Sequence, residues 1–185
     1  MSKEIPFGHW HPDAAGLNAA SVVTASGCRP TVNGFLPMPS MAAASAALEG
    51  DCLGAAVIFD ENGAISTFAG DASKLYKLSS TSTWDDVSRT TGGIYSSGSG
   101  ARWQFGFSGG LVIACTIGEP PQKYQLGSST DFAALGGSPP NASYIATVRD
   151  FVVLGGLSGD LNTIHWSGLA QPEWWTPGTN SCDTQ

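Results

Sequence analysis

The residues able to do chemistry are few and scattered. His9 and His11 flank Trp10, and on an extended strand residues two apart share a face, so both imidazoles would point the same way. A zinc site needs three or four ligands. Asp13 is the nearby carboxylate, and the group reads as an aromatic contact arm before it reads as a metal centre. Further on, FAGDASKLYKLSSTSTWDDVSR (68–89) sets Gly70-Asp71 near Lys74, Lys77, Asp85 and Asp86. Neighbouring carboxylates on one strand face opposite ways, whereas glycoside chemistry takes its pair from separate elements across a cleft. The serines form no G-x-S-x-G elbow, and Gly98-Ser99-Gly100 lies in a Gly/Ser-rich loop that would position a nucleophile poorly. SSGSGAR (96–102) lacks the Lys-Ser/Thr ending of a phosphate loop. Asp60-Glu61-Asn62-Gly63 offers too few ligands for calcium and reads as a hairpin turn. The expectation is a non-enzyme with no cofactor and no metal, a hydrolase site formed between repeats being the remaining enzymatic reading.

Composition points the same way. The chain has 185 residues, 42% hydrophobic and only 12% charged, about half the usual charged share. With 24 Gly and 11 Pro it suits many short strands joined by tight turns better than helices. The net charge is −7, and the basic residues are spread from Lys3 to Arg149, so a phosphate-gripping patch is not expected. Cys28, Cys52, Cys115 and Cys182 are far apart and form no CxxC or Cys/His cluster, which reads as reduced, mostly buried thiols. MSKEIPFGHWHPD breaks with charge and proline before any apolar run develops, and no apolar run is long enough to span a bilayer. A product of the cytoplasm without membrane insertion is expected, with Asn141-Ala142-Ser143 a chance glycosylation match.

The elements that would position these residues fall into two parts. Residues 1–50 are rich in Pro, Gly and aromatics without regular period, as in PFGHWHPD and NGFLPMPS, and read as an extended N-terminal arm. Within it, Met41–Gly50 reads either as a short helix or as a loop of small residues. Residues 51–185 read as hairpins: AAVIF with AISTF, WQFGF with LVIAC, YIATV with FVVLG. LVIAC and FVVL are continuous apolar runs, the mark of inner strands covered on both faces.

A weaker pair follows each hairpin, KLYKLS with TWDDV, QKYQLGS with DFAAL, and TIHWSGL with PEWW. Their aromatics keep one spacing: Tyr76 to Trp84, Tyr124 to Phe132 and Trp166 to Trp174 are each 8 apart. These six residues are the expected structural anchors of a repeat. TTGGIYSSGSGAR (90–102) accounts for the longer first interval and is expected to be mobile. The fold class is therefore all-β, a propeller-like array of about three four-stranded antiparallel modules (about 54–89, 102–136 and 143–176), with a β-sandwich as the alternative. Three modules are fewer than the four a closed propeller needs, so the expectation is either that something else completes the ring or that the chain is the front part of a longer design. Phe7, Trp10, Phe35 and Trp175 are the candidate assembly contacts, because Trp is enriched at interfaces.

NGFLPMPS, the unit FDENGAISTFAGDASKLYKLS with TWDDVSR, and the later VRDFVVLGG and PEWWTPGTN resemble the N-terminal part of tail hub or nozzle proteins of short-tailed bacteriophages, the packaged-DNA stabilisation protein family. The pattern departs from that family at Leu36, where an Arg often precedes the proline. The resemblance implies a virion component made in the host cytoplasm, all-β with propeller-like domains. It also implies partners: other copies in a ring, the portal, adaptor or other tail proteins, and packaged DNA as a passing polymer. The runner-up expectation is a carbohydrate-binding β module that recognises a host surface through exposed tryptophans, Trp175 among them.

Overall fold

A computed structural model describes residues 24, 26–31, 34–60 and 62–185. The chain divides into two compact units, Met1–Ala43 and Ala44–Gln185. In the first, β1 (Cys28–Thr31) pairs antiparallel with β2 (Gly34–Pro37), Arg29 opposite Leu36 and Pro30 opposite Phe35. Residues 44–50, which the sequence reading placed with the arm, belong to the second unit.

The second unit consists of three four-stranded antiparallel sheets, each a simple meander. The first contains β3 (Gly54–Phe59), β4 (Ile65–Gly70), β5 (Leu75–Leu78) and β6 (Trp84–Asp86). The second contains β7 (Gln104–Ser108), β8 (Leu111–Thr116), β9 (Glu119–Gln125) and β10 (Ala133–Ala134). The third contains β11 (Ala142–Val148), β12 (Phe151–Leu157), β13 (Asp160–Trp166) and β14 (Asp183–Thr184). All three hairpins read from the sequence are present: β3 with β4, β7 with β8 and β11 with β12. Their turns follow local chemistry. Gly109 and Gly110 both have positive φ, as a two-residue hairpin loop of the primed kind requires.

The sheets stack in series, and β8 shows how. Successive strand residues point to opposite faces. Val112 and Ala114 pack with Ile58, Phe68 and Leu75 of the first sheet. Ile113 and Cys115, from the alternate positions, pack with Val152 and Leu154 of the third. The apolar run of this strand thus fills two cores, which makes three layers rather than the two of a sandwich. The leading strands sit together, β7 lying against both β3 and β11. Gly54 permits this closeness: a Cβ there would run into the Trp103 backbone carbonyl.

Three expectations need correction. Met41–Gly50 forms no helix, and no described residue is helical. Its backbone is engaged elsewhere, the Ala46 N–H donating to Ser82 O and Ala46 O accepting from the Trp84 indole at 3.1 Å. The 90–102 loop is pinned: Tyr95 and Ser97 are buried, and their N–H groups donate to Ser73 O and Ala72 O. Finally, PEWW is not the fourth strand of the third module. That strand is β14, which pairs Asp183 with Trp166, so the module runs to Thr184. Pro172 to Trp175 lie in the turn-rich connection before it, where the bridges Gly168↔Gln171 and Thr179↔Cys182 hold the chain.

Candidate functional site

The 68–89 stretch that suggested chemistry is a structural knot. Asp71 is buried at the turn joining β4 to β5. Its Oδ1 accepts from the Ser73 and Lys74 N–H groups at 2.7 Å each, and its Oδ2 accepts from the Tyr76 hydroxyl at 2.8 Å. Its backbone carbonyl takes the Trp103 indole N–H at 2.8 Å, which ties the first sheet to the start of the second. Burial alone would raise the Asp71 pKa. The donors from Ser73, Tyr76 and Lys74 outweigh it and hold the carboxyl below its ordinary value. Burial first, and then the bond to Asp71, push the Tyr76 hydroxyl well up. Four hydrogen bonds, counting the Ser73 hydroxyl, commit this carboxylate to the turn and to Tyr76. Lys74 pairs with Glu49 at 2.7 Å and Asp86 at 3.3 Å. Lys77 lies between the first two sheets, its ammonium 5.8 Å from the Phe68 ring centre and 5.3 Å from that of Tyr124.

Two further clusters escaped the sequence reading. Arg89 and Glu119 form a largely buried ion pair at 2.9 Å. The Glu119 carboxylate also accepts from the Ser96 N–H at 2.7 Å, and the guanidinium stacks 4.5 Å from the Tyr95 ring centre. This network fastens the 90–102 loop. The second cluster places Cys182 Sγ 3.5 Å from His165 Nε2, a pairing that in a nucleophilic site would require a thiolate beside an imidazolium. Here burial, and then Asp183, push the thiol up, while burial pushes the imidazole down. Both stay neutral at pH 7, and the pair is packed against Trp175. Partners 17 residues apart on β13 and the final loop leave no sequence signal. All four cysteines are free thiols. Cys115 is the most deeply buried, its pKa pushed up to about 12 by desolvation, and Cys52 is exposed. Among the described residues, no three His, Cys, Asp or Glu side chains converge as a metal site.

The proposed anchors separate once the registers are known. Tyr76, Tyr124 and Phe132 are buried, and Phe68, Tyr124 and Phe132 form a mutual ring cluster with centres 5.2 to 5.7 Å apart. Trp84 pairs with Leu78 rather than Tyr76 and is half-buried. Trp166 projects from the face of its sheet opposite to His165, and His165 is the residue turned toward the second sheet. The equal spacing of 8 therefore does not carry the same geometry into the third module. Trp174 and Trp175 exchange their expected roles: Trp175 is 4% exposed in the core with Val152 and Leu154, and Trp174 is 41% exposed. Trp175 is fixed by donating its indole N–H to Pro172 O at 2.9 Å. Phe35 is half-buried on β2. Phe7, His9, Trp10, His11 and Asp13 lie outside the described residues.

Two surface features remain. A cleft of about 660 Å³ opens between the β7–β8 and β11–β12 turns, lined by Thr147, Arg149, Asp150, Gln171, Glu173 and Trp174 among others. The Trp174 ring is held there by its indole N–H donating to Thr179 Oγ1 at 2.8 Å. The other feature is apolar. On the side of the first sheet away from the second, Val57, Phe59 and Ile65 are 53%, 62% and 63% exposed. On the side of the third sheet away from the second, Tyr144 and Val148 are 65% and 55% exposed. No protein-family model matches the chain, and no curated protein matches it.

Proposed function

We propose that this chain is a non-enzymatic structural component of a phage virion tail or neck, forming with its neighbours part of an oligomeric ring around the DNA exit channel. The observation that carries the assembly part is the pair of apolar faces at the two ends of the three-sheet stack. Stacked four-stranded meanders with leading strands gathered together support a propeller-like reading, in which blades at the end of an open row expose the faces that a closed ring would bury. Large exposed apolar surface marks an interaction site on a protein that remains in solution. The virion assignment rests on the resemblance of NGFLPMPS, the 59–89 unit and PEWWTPGTN to tail hub and nozzle proteins.

The titratable groups support the non-enzymatic part, because Asp71, Glu119 and His165 are each committed to packing or to a fixed partner. The net charge of −7 suits a wall that DNA slides past, since phosphate is repelled rather than trapped. Portal, adaptor or other tail proteins are the further partners. Negative-stain or cryo-electron maps of intact particles, with the chain tagged, should place it in the tail or neck. A soluble monomer found only outside particles would overturn the proposal.

A second reading has one observation in its favour. A host-surface carbohydrate would stack on Trp174, not on the buried Trp175, in the cleft where Asp150, Gln171 and Thr147 supply hydrogen-bonding groups. A glycan array comparing the wild type with Trp174→Ala tests it: a sugar signal lost in the variant supports binding, and no signal with either protein removes this reading.

A further inference from the structure

We propose that the cleft beside Trp174 takes an uncharged pyranose through a pair of its vicinal hydroxyls, in preference to a charged sugar. The inference rests on the carbohydrate reading and names the ligand class that its site fits. The cleft lies between the β7–β8 and β11–β12 turns, and its volume of about 660 Å³ is that of a small-molecule site.

Trp174 is the first part of the site. Although 41% exposed, this tryptophan is fixed in place. Its backbone N–H donates to Gln171 O at 3.0 Å, and its carbonyl accepts from the Gly168 N–H at 2.8 Å. Its indole N–H donates to Thr179 Oγ1, and that hydroxyl donates in turn to Thr176 O. Gly168 lets the side chain sit close: a Cβ there would come within 3.3 Å of the ring atoms Cγ and Cδ1. The one polar atom of the side chain is thus satisfied within the protein, and only ring carbon is offered to the cleft. The face of an aromatic ring is electron-rich and attracts the slightly positive C–H bonds of a sugar's apolar face. Holding the ring in place beforehand removes an entropic cost of binding.

The second part is the β11–β12 turn. At the same place in the second sheet the two turn residues are Gly109 and Gly110; here they are Arg149 and Asp150. Arg149 adopts a φ of +53°, close to the +57° of Gly109. That conformation suits glycine and strains a residue with a Cβ. Ala170, which lines the same cleft, also has a φ of +53°, and its N–H donates to Asp150 O at 2.9 Å. The side chains of Arg149 and Asp150 have no ion-pair or hydrogen-bond partner among the described residues, so no contact within the fold offsets the strain. Backbone strain gathered around a cleft is a mark of a ligand clamp.

The ligand class follows from the charges. Arg149 and Asp150 are adjacent and cancel. Glu173, the other carboxylate of the lining, is neutralised by Lys123 at 2.5 Å. An anion that met Arg149 would also face Asp150, and a cation that met Asp150 would face Arg149. A hydroxyl donates and accepts at once. Two neighbouring hydroxyls can therefore donate to the Asp150 carboxylate, which only accepts, and accept from the Arg149 guanidinium, which only donates. A nucleobase would stack on Trp174 but brings no vicinal hydroxyls to the turn.

The test is a titration of the full chain followed by saturation-transfer NMR and by the Trp174 indole resonance. The probes are the methyl glycosides of glucose, galactose and mannose, with those of glucuronic acid and glucosamine as charged comparators and adenine as a flat one. A neutral glycoside should bind at millimolar concentration and shift the Trp174 resonance. Trp174→Ala and Asp150→Asn should each weaken that binding by about 10-fold or more, as expected for loss of a stacked ring or of a charged hydrogen-bond partner. Arg149→Gly should weaken it by a similar factor yet melt at or above the wild-type temperature, because glycine takes that φ without strain. A lower melting temperature, or an unchanged affinity, would overturn the role given to Arg149. Tighter binding of a charged glycoside would overturn the neutral class and leave the carbohydrate reading standing. Tighter binding of adenine, or neutral-sugar binding that survives all three substitutions, would overturn the site itself. No binding of any probe removes both the inference and the carbohydrate reading.

Discussion

The second sheet and the two that flank it are made from the same kind of hairpin, yet among the described residues only the second has another sheet packed on both faces. LVIAC in β8 and FVVLG in β12 are similarly apolar. In β8 the odd and even residues enter two different cores. In β12, Val152 and Leu154 are buried against the second sheet, while Phe151 and Val153 alternate on a side that stays half-open. The difference teaches that an apolar run states how many faces are fit to be covered, and position in the stack decides how many are covered within one chain.

Mutations can break this comparison. The largest effects belong to the side chains that fill the two cores. Phe68→Ala should destabilise by about 3–5 kcal/mol, and Trp175→Ala by a similar amount, in equilibrium urea unfolding. An effect below about 1 kcal/mol for Trp175 would mean that the third sheet does not pack as described. Next comes Arg89→Met, which leaves the Glu119 carboxylate without its guanidinium in a largely buried place and should cost about 3 kcal/mol. It should also free the 90–102 loop, read as faster amide exchange at Tyr95 and Ser97.

Asp71→Ala is expected to cost about 1–3 kcal/mol, because the Tyr76 hydroxyl and two backbone N–H groups lose their acceptor. The pH dependence follows from the depressed pKa. Its contribution is full above the ordinary value of 3.8 and is lost as pH falls through the lower folded value. Melting temperatures between pH 5 and pH 2 should therefore fall more steeply for the wild type than for Asp71→Asn. His165 adds a shallower loss at higher pH: burial lowers its pKa, so stability declines as pH falls below about 6.5. His165→Gln should flatten that part of the curve. The smallest effects are on the open faces, where Val57→Ser and Trp174→Ala should each change the stability of the isolated chain by no more than about 0.5–1 kcal/mol. A large loss from Val57→Ser in dilute solution would mean that this face is already covered within one copy.

Much of the fold was legible because strand alternation and turn chemistry are local. Trp103, Phe105 and Phe107 alternating with Gln104 and Gly106, or Gly109-Gly110 between two apolar runs, name a strand and a turn without further information. The third module was misread because an interval of 8 says nothing about register. Tyr124 and Phe132 flank a hairpin whose strands pair at Lys123 and Ala133, whereas Trp174 lies in a connection that precedes its strand. The 90–102 loop looked mobile because its anchors, Glu119 and Trp103, are distant in sequence or outside it.

By itself the sequence determined an all-β chain of short hairpins, low in charge and without a recognisable catalytic motif, because period-2 patterning, glycine turns and composition are properties of neighbouring residues. Only the tertiary structure decided that Trp175 and not Trp174 is core, that Asp71 caps a turn, and that Cys182 meets His165. It alone decided which sheet faces are covered. Those outcomes depend on contacts between residues far apart along the chain, and on which side of a sheet a side chain emerges, which a shift of one residue in pairing reverses.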